Sequence, residues 1–541
     1  MPGTGPLFAA PRITAERSAS LDDPDGTLLL RSTQPLGDYP VSIAHSLRAR
    51  AERHPGHPLV AERSASGGWR SVSYGEAVAA ADAIGQGLLD RGLGPDRPLL
   101  ILSGNSVNHL LMTLGALTAG VPVAPVSVAY SLQSKDHARV RAISGLIAPG
   151  AVYADDAAAF EAALDAALAP VPAAAGGAAP AIIAAGQRSG AIPLAGLLAT
   201  APGDAVRAAF AALTSDAIAK ILFTSGSTGS PKGVLNTHRM LSANQQMIRQ
   251  AWPFLDGERP VIVDWLPWSH TFGGNHNVNM TITNGGTLYV DGGRPAPGLF
   301  GQTIANLTDV PPTIYFNVPA GYAQLVPALE ADPEFAQRFF SRLRLLFNAA
   351  AALPAALRER LETLAARYAP DRDIPVTGSW GATETAPAVT SANFPFTDAQ
   401  CIGAPLPGGT VKLVPAEDAY EIRVQGPNVT PATTPAATAP PSASIAPASI
   451  TRRSTATAST GPATWWRSPS PATPTPAWSS AAGSPRTSSW KPARSSASAR
   501  SAPLCCRRSR PRRRRPRGRE PRLRLRPRLA QPRRSPQASR P

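Results

Sequence analysis

Residues 224–233 read TSGSTGSPKG, a run of small and hydroxyl-bearing side chains closed by a single lysine. Glycines and small residues placed just after a strand let backbone N–H groups converge on an anion, because no Cβ blocks the approach. Phosphate is the usual anion. In such a loop Gly226, Gly229 and Gly233 permit the tight turn, Ser225, Ser227 and Thr228 donate hydroxyls, and Lys232 sets a mobile ammonium against phosphate oxygens. The spacing is not that of a Walker A loop, since the residue after Lys232 is glycine. Taken alone, the stretch reads equally well as an ordinary surface turn. Three further residues could do chemistry: His270 in LPWSHTFGG (266–274), and Trp380 and Glu384 in GSWGATETAP (378–387). Singly, a histidine is more often a satisfied structural residue, a tryptophan core and a glutamate a solvated charge.

The elements around these residues follow an α/β rhythm from about residue 41 to 425, short apolar runs alternating with helix-period segments. PLLILSGNS (98–106) reads as a buried strand ending in a turn, and VNHLLMTLGALTAG (107–120) as a helix stopped by glycine. VPVAPVSV (121–128), IAKILFTSGS (218–227), PVIVDWLPW (260–268), GTLYVDGG (286–293) and PTIYFNVP (312–319) read as strands. Such alternation implies parallel sheets covered by helices on both faces. Residues 154–202 are alanine-rich and read as helices joined by loops; GTVKLVP (409–415) and YEIRVQG (420–426) alternate as an antiparallel pair does.

Composition divides the chain. Residues 430–541 hold 23 Lys+Arg and one acid, Glu520, whereas the first 429 residues hold 30 bases and 35 acids, so the net charge of +17 combines +22 in the tail with −5 elsewhere. Beyond Val429 the residues are mainly Pro, Ala, Ser, Thr and Arg, with too little apolar surface to offset the entropy of ordering, and the segment reads as disordered. Cys401, Cys505 and Cys506 form neither a disulfide framework nor a metal-ligand spacing, which fits a cytoplasmic protein. No signal peptide or membrane span is expected: the most apolar stretch, Leu110 to Val128, is broken by Gly115, Gly120, Pro122 and Pro125.

TSGSTGSPKGV resembles the signature phosphate loop of the adenylate-forming superfamily, which includes acyl- and aryl-CoA ligases, adenylation domains and luciferases. Further segments resemble that family's motifs in its order: LPWSHTFGG its substrate-pocket segment, NAAAALP (348–354) its adenine-binding segment, GSWGATETAP its (Y/W)GxTE motif and IGAPLPG (402–408) the segment that follows. NTHRMLSANQQM, DWLPWSHTFGGNHNVNM and PTIYFNVPAGY are similar to feruloyl-CoA synthases, which activate hydroxycinnamic acids. The resemblance implies a large adenylation domain over 41–429, two helix-flanked sheets plus a small β-barrel subdomain, after an N-terminal extension over 1–40. It also implies ATP, Mg²⁺ and coenzyme A as cofactor and co-substrates, and a small aryl acid as substrate. On this reading Thr224 to Gly229 and Lys232 hold the phosphates, Thr383 binds the α-phosphate and Glu384 holds Mg²⁺. Trp380 and Gly381 lie against the adenine with Ala350 and Ala351, and His270 shapes the place where acid and AMP meet. Ala350 stands where the family usually has glycine. A CoA ligase for another aryl or medium-chain acid is the alternative.

Read at face value, the arginines of 507–528 make a nucleic-acid-binding arm. The resemblance instead implies a small C-terminal domain there, with a YxTGD motif and a catalytic lysine, neither of which is visible. Sliding the reading frame back one base lets STGPAT (459–464) spell FYRTGD and PRTSSWKPARSSASAR (485–500) spell a family-like segment. The expectation is that residues from about 432 onward are an out-of-frame replacement of that domain, which leaves this chain's activity impaired. Sequencing the coding DNA across codons 425–440 checks it.

Overall fold

A computed structural model of the chain describes residues 7–9, 13–20, 23–169, 179–225, 231–396, 398, 401–416, 419–431 and 450–454. Most of the tail expected to be disordered over 430–541, its arginine cluster included, lies outside the described residues; the part of it at Ile450–Ser454 is a strand, against that expectation. Among those described, no helix is long and apolar enough to cross a membrane.

Edge to edge, the first sheet runs Pro231–Thr237, Ile218–Ser225, Val123–Pro125, Leu99–Leu102, Ala151–Ala154, Ala181–Ala184, Ile192–Pro193. Every neighbour pairs in parallel except the Pro231–Thr237 edge, which returns antiparallel on Ile218–Ser225. The two strands that flank the glycine-rich stretch thus pair antiparallel, where the strand rhythm implies parallel neighbours. A second sheet, Val261–Asp264, Thr287–Val290, Pro58–Arg63, Trp69–Ser73, meets a third, Ile314–Asn317, Leu345–Asn348, Val376–Gly381, Ala388–Ser391, Ala404–Pro405. The Thr313 N–H donates to the Val261 carbonyl at 2.9 Å and joins the two edges.

Alternation along the strands explains the layers. Leu99 and Ile101 enter one core while Leu100 and Leu102 enter another. Ile314, Phe316, Leu345 and Phe347 enter that same first core, whereas Tyr315 and Leu346 face a third. The first core is therefore shared by both sheet systems. Helices Tyr74–Leu89, Val107–Thr118 and His238–Ala251 fill it, the middle one buried along nearly its whole length. Other helices cover the outer faces, among them Ala138–Ile147 and Glu161–Leu168 on the first sheet and Pro319–Ala331 and Ala355–Tyr368 on the third.

A small antiparallel sheet follows the order Ile13–Ser20, Asp23–Ser32, Thr410–Ala416, Ala419–Gln425, Ile450–Ser454. The pair expected at 409–426 is present, with Leu413 opposite Ile422. The N-terminal strand Asp23–Ser32 is built into this sheet through Leu30 opposite Val411. Two expectations need correction. The alanine-rich stretch 154–202 is not all helix: Ala181–Ala184, with two β-branched isoleucines, pairs in parallel with Ala151–Ala154. The strand expected over 121–128 is confined to Val123–Pro125, and Val128–Ser131 forms one helical turn.

Candidate active site

The hairpin that carries the lysine has a defined register: Thr224 lies opposite Lys232, and Lys220 opposite Asn236. In a strand, alternate residues share a face, so Lys220 and Thr224 on one strand and Lys232 and Asn236 on the other present one common side. Gly226, Ser227, Thr228 and Gly229, the tip of the expected phosphate loop, lie outside the described residues, as does the side chain of Ser225. Lys232 is half-buried at the hairpin rim and Gly233 is buried behind it.

Asn236 shows where that face points. Its side-chain oxygen accepts from Asn275 Nδ2 at 2.6 Å, and its Nδ2 donates to the Thr383 carbonyl at 3.4 Å. One buried amide thus touches the segment that follows His270 and the turn that carries Glu384. Asn275 Nδ2 also donates to Thr271 Oγ1 at 3.2 Å, and Gln245 Nε2 donates to the Asn275 carbonyl at 2.9 Å.

The His270 segment is held by close backbone approach. Residues Phe272–Asn277 form a π-helical turn packed on the 266–268 strand exit. A Cβ on Gly273 would fall 2.4 Å from the Leu266 carbonyl oxygen, and one on Gly274 2.2 Å from that of Trp268. Only glycine fits either place. The His270 backbone N–H donates to the Pro267 carbonyl at 3.0 Å, and its Nδ1 accepts from the Phe272 N–H at 3.2 Å. The ring has an open face, but the crowded wall behind it withholds water and lowers its pKa below the usual 6.5.

Glu384 sits half-buried on the three-residue turn Thr383–Thr385, with Thr383 buried beside it. The turn leaves the end of Val376–Gly381. A Cβ on Gly381 would lie 1.8 Å from the Pro387 carbonyl oxygen, which makes glycine obligatory before the turn. Trp380 is half-buried and packs on the core of the small antiparallel sheet. It therefore has structural contacts on one side, whatever its other face meets.

Residues 348–351, expected to face an adenine, lie at the carboxyl end of a parallel strand, where open α/β sheets present their ligands. Asn317 and Asn348 end neighbouring strands in register, and Asn348 lies opposite Gly378. Asn348 Nδ2 donates to the Ala351 carbonyl at 2.8 Å, turning the chain outward so that Ala350 and Ala351 are exposed. Ala350 adopts φ +72°, the left-handed region that glycine enters without strain. Ala350 thus keeps a backbone conformation that glycine usually takes.

The structure brings together the segments of Thr224, Lys232, His270, Thr383 and Glu384; Ala350 and Ala351 follow the strand Leu345–Asn348, and Trp380 and Gly381 lie on its neighbour Val376–Gly381. Sequence reasoning missed Asn236, Asn275 and Lys220. Lys220 is 4% exposed, its Nζ donates to the Gly274 carbonyl at 3.1 Å, and burial pulls its pKa down to about 8. The available signal was a cation in an otherwise apolar strand, IAKILF, and the asparagine-rich GGNHNVNM. No group of three or more His, Cys, Asp or Glu side chains gathers as a metal site among the described residues. A hard cation such as Mg²⁺ is usually held by only one or two carboxylates together with a substrate's phosphates, so a single carboxylate such as Glu384, half-buried on its turn, fits that kind of site.

The chain is 30% identical over 228 residues to a feruloyl-CoA synthase from an Amycolatopsis species, a match that covers 40% of this chain and 42% of that protein. It is 30% identical over 217 residues to a long-chain-fatty-acid–CoA ligase of Yersinia pestis, covering 38% of this chain and 36% of the relative. The chain thus spans well under half the length of the curated relatives it matches. Among solved structures, a benzoate CoA ligase from Burkholderia xenovorans LB400 superposes with a TM-score of 0.57 at 22% identity, over 72% of each chain. A long-chain-fatty-acid-CoA ligase from Archaeoglobus fulgidus gives the same TM-score at 19% identity, over 74% of this chain and 78% of that one. These likenesses fix the fold as that of the adenylate-forming enzymes. The family model described as AMP-binding enzyme matches residues 47–432, and the chain belongs to that family.

Proposed function

We propose that this protein activates an aromatic, hydroxycinnamate-like acid such as ferulate as its acyl-AMP and then as its coenzyme A thioester. A carboxylate is a poor acyl donor because its leaving group would be oxide. In the first step a carboxylate oxygen bonds to the α-phosphorus of ATP, the bond to the β-phosphate breaks and pyrophosphate leaves. In the second the coenzyme A sulfur, losing its proton, bonds to the acyl carbon and AMP leaves. The likeness of NTHRMLSANQQM and PTIYFNVPAGY to feruloyl-CoA synthases supports the choice of acid.

Each residue has a role in the first step. Thr224 and Lys232, with the loop between them, cradle the phosphates. Thr383 binds the α-phosphate, and Glu384 supplies the carboxylate for Mg²⁺, which neutralises charge that builds between the α-phosphate and the leaving group. Trp380 and Gly381, with Ala350 and Ala351, flank the adenine; His270, neutral, shapes the meeting point of acid and nucleotide. Residues from about 432 onward, read as an out-of-frame replacement of the small domain, leave the chain able to bind nucleotide but poor at turnover.

The observation that carries this reading is the bridging of the lysine hairpin, the His270 segment and the Glu384 turn by the single side chain of Asn236. Calorimetric titration with ATP, with Mg²⁺ and with chelator, tests it. We expect Mg²⁺ to tighten ATP binding to the wild type and Glu384→Gln to reduce that gain by about tenfold, the loss of one charged contact. An unchanged gain in Glu384→Gln removes Glu384 from the metal. Ferulate, benzoate and octanoate compared as co-ligands test the acid: selective binding of octanoate moves the substrate to the medium-chain class.

A further inference from the structure

Residues 426–430, GPNVT, belong to no segment to which chemistry has been assigned, yet they close the site from behind. Asn428, Val429 and Thr430 are all buried. Asn428 Nδ2 donates to the carbonyls of Thr385 at 2.8 Å and Ala388 at 2.9 Å. The Thr430 N–H donates to the Glu384 carbonyl at 2.8 Å, and its hydroxyl donates to the Leu235 carbonyl at 2.5 Å. Leu235 lies on the lysine strand, three residues beyond Lys232. One short strap is therefore bonded to both walls of the site.

We propose that Asn428 and Thr430 are positioning residues that set the separation between the Lys232 strand and the Glu384 turn, acting through backbone carbonyls and touching no ligand. The inference rests on the reading of Glu384 as the metal carboxylate. Its physical reason is the shortness of the turn. Thr383–Thr385 is held internally by the Thr385 N–H on the Ala382 carbonyl at 3.0 Å and the Ala382 N–H on Thr385 Oγ1 at 2.8 Å, and Ala386 leaves it at φ +63°. Those bonds fix its shape but not its place. The direct tie to the lysine strand, from Asn236 to the Thr383 carbonyl, is long at 3.4 Å. The strap supplies the shorter bonds: three to the turn and its exit, one to the strand. Removing the Thr430 hydroxyl leaves the Leu235 carbonyl without that donor in a dry place, so the strap gains by shifting and the carboxylate moves with it.

ATP titration of the full chain, with Mg²⁺ and with chelator, tests the proposal on Thr430→Val, Asn428→Ala and Thr430→Ser. In Thr430→Val the tightening by Mg²⁺ should fall roughly tenfold while metal-free ATP affinity stays within about twofold, as expected for one displaced charge contact. Thr430→Ser keeps the hydroxyl and should restore it. A strap that merely supported the fold would weaken both affinities alike; that result, or an unchanged Mg²⁺ gain, overturns the proposal. Thr430→Val is nearly isosteric and decides the matter if Asn428→Ala fails to fold. If the wild type itself shows no gain from Mg²⁺, the metal reading fails separately. Amide exchange at Ala382, Thr385 and Ala388 then decides the strap: faster exchange in Thr430→Val supports it and unchanged exchange overturns it.

Discussion

Lys220 invites a direct experiment because its charge is buried without a carboxylate partner in its bonding. Its Nζ reaches the Gly274 carbonyl, and its charge helps to lower the pKa of the buried His109, which desolvation pulls down to about 4. Burial lowers the lysine from 10.5 to about 8. Between those values the unfolded chain holds the proton more tightly than the folded one, so this group makes stability rise with pH across that window. Below pH 8 the whole penalty is present, about 3 kcal/mol at 1.36 kcal/mol per pKa unit. By pH 9.5 about 2 kcal/mol of it has been relieved. Lys220→Met keeps the length and removes both the penalty and the bond to Gly274, itself worth about 1.5–3 kcal/mol for a charged donor. The variant should therefore match or exceed the wild type at pH 7 and lose about 2 kcal/mol relative to it between pH 7 and pH 9.5. Urea unfolding of both proteins at the two pH values measures the gap, and the buried tyrosines, common to both, cancel. A gap that is the same at pH 7 and 9.5 would refute the claim that a charged lysine is held dry beneath the His270 segment.

Ala350→Gly should stabilise the fold by up to about 1 kcal/mol, the left-handed strain of alanine less the extra freedom glycine has when unfolded. It should also tighten ATP binding by removing a methyl from the adenine segment; weaker ATP binding in the same titration would mean that the methyl packs on the base. Gly381→Ala forces a methyl against the Pro387 carbonyl oxygen and should lower stability by about 1–3 kcal/mol while displacing the Glu384 turn, so that the Mg²⁺-dependent part of ATP binding is lost. Wild-type binding in Gly381→Ala would show that the turn adjusts freely.

Much of the fold was legible in local pattern. VNHLLMTLGALT forms a helix within one or two residues of its expected limits, because an apolar run opened by Ser106 and ended near glycine allows little else. The strand at 181–184 was not legible: four residues of Ala-Ile-Ile-Ala have no period of their own, and only the neighbouring strand selects their conformation. The return of the glycine-rich stretch as an antiparallel edge was hidden for the same reason, since strand direction is a property of pairs. Lys220 escaped notice because a lysine in a strand is usually solvated, and its burial depends on a π-helical turn fifty residues away.

The sequence by itself supplied the candidates for a nucleotide site: a glycine-rich hydroxyl stretch with its lysine, and a tryptophan, threonine and glutamate close together in GSWGATETAP, are carried by letter order. Only the tertiary structure decided that these segments meet, and through what. Asn236, Asn428 and Thr430 bond to carbonyls 40 to 195 residues distant or to side chains on other elements. A hydrogen bond to a backbone carbonyl leaves no mark in the acceptor's sequence, because every residue has that carbonyl.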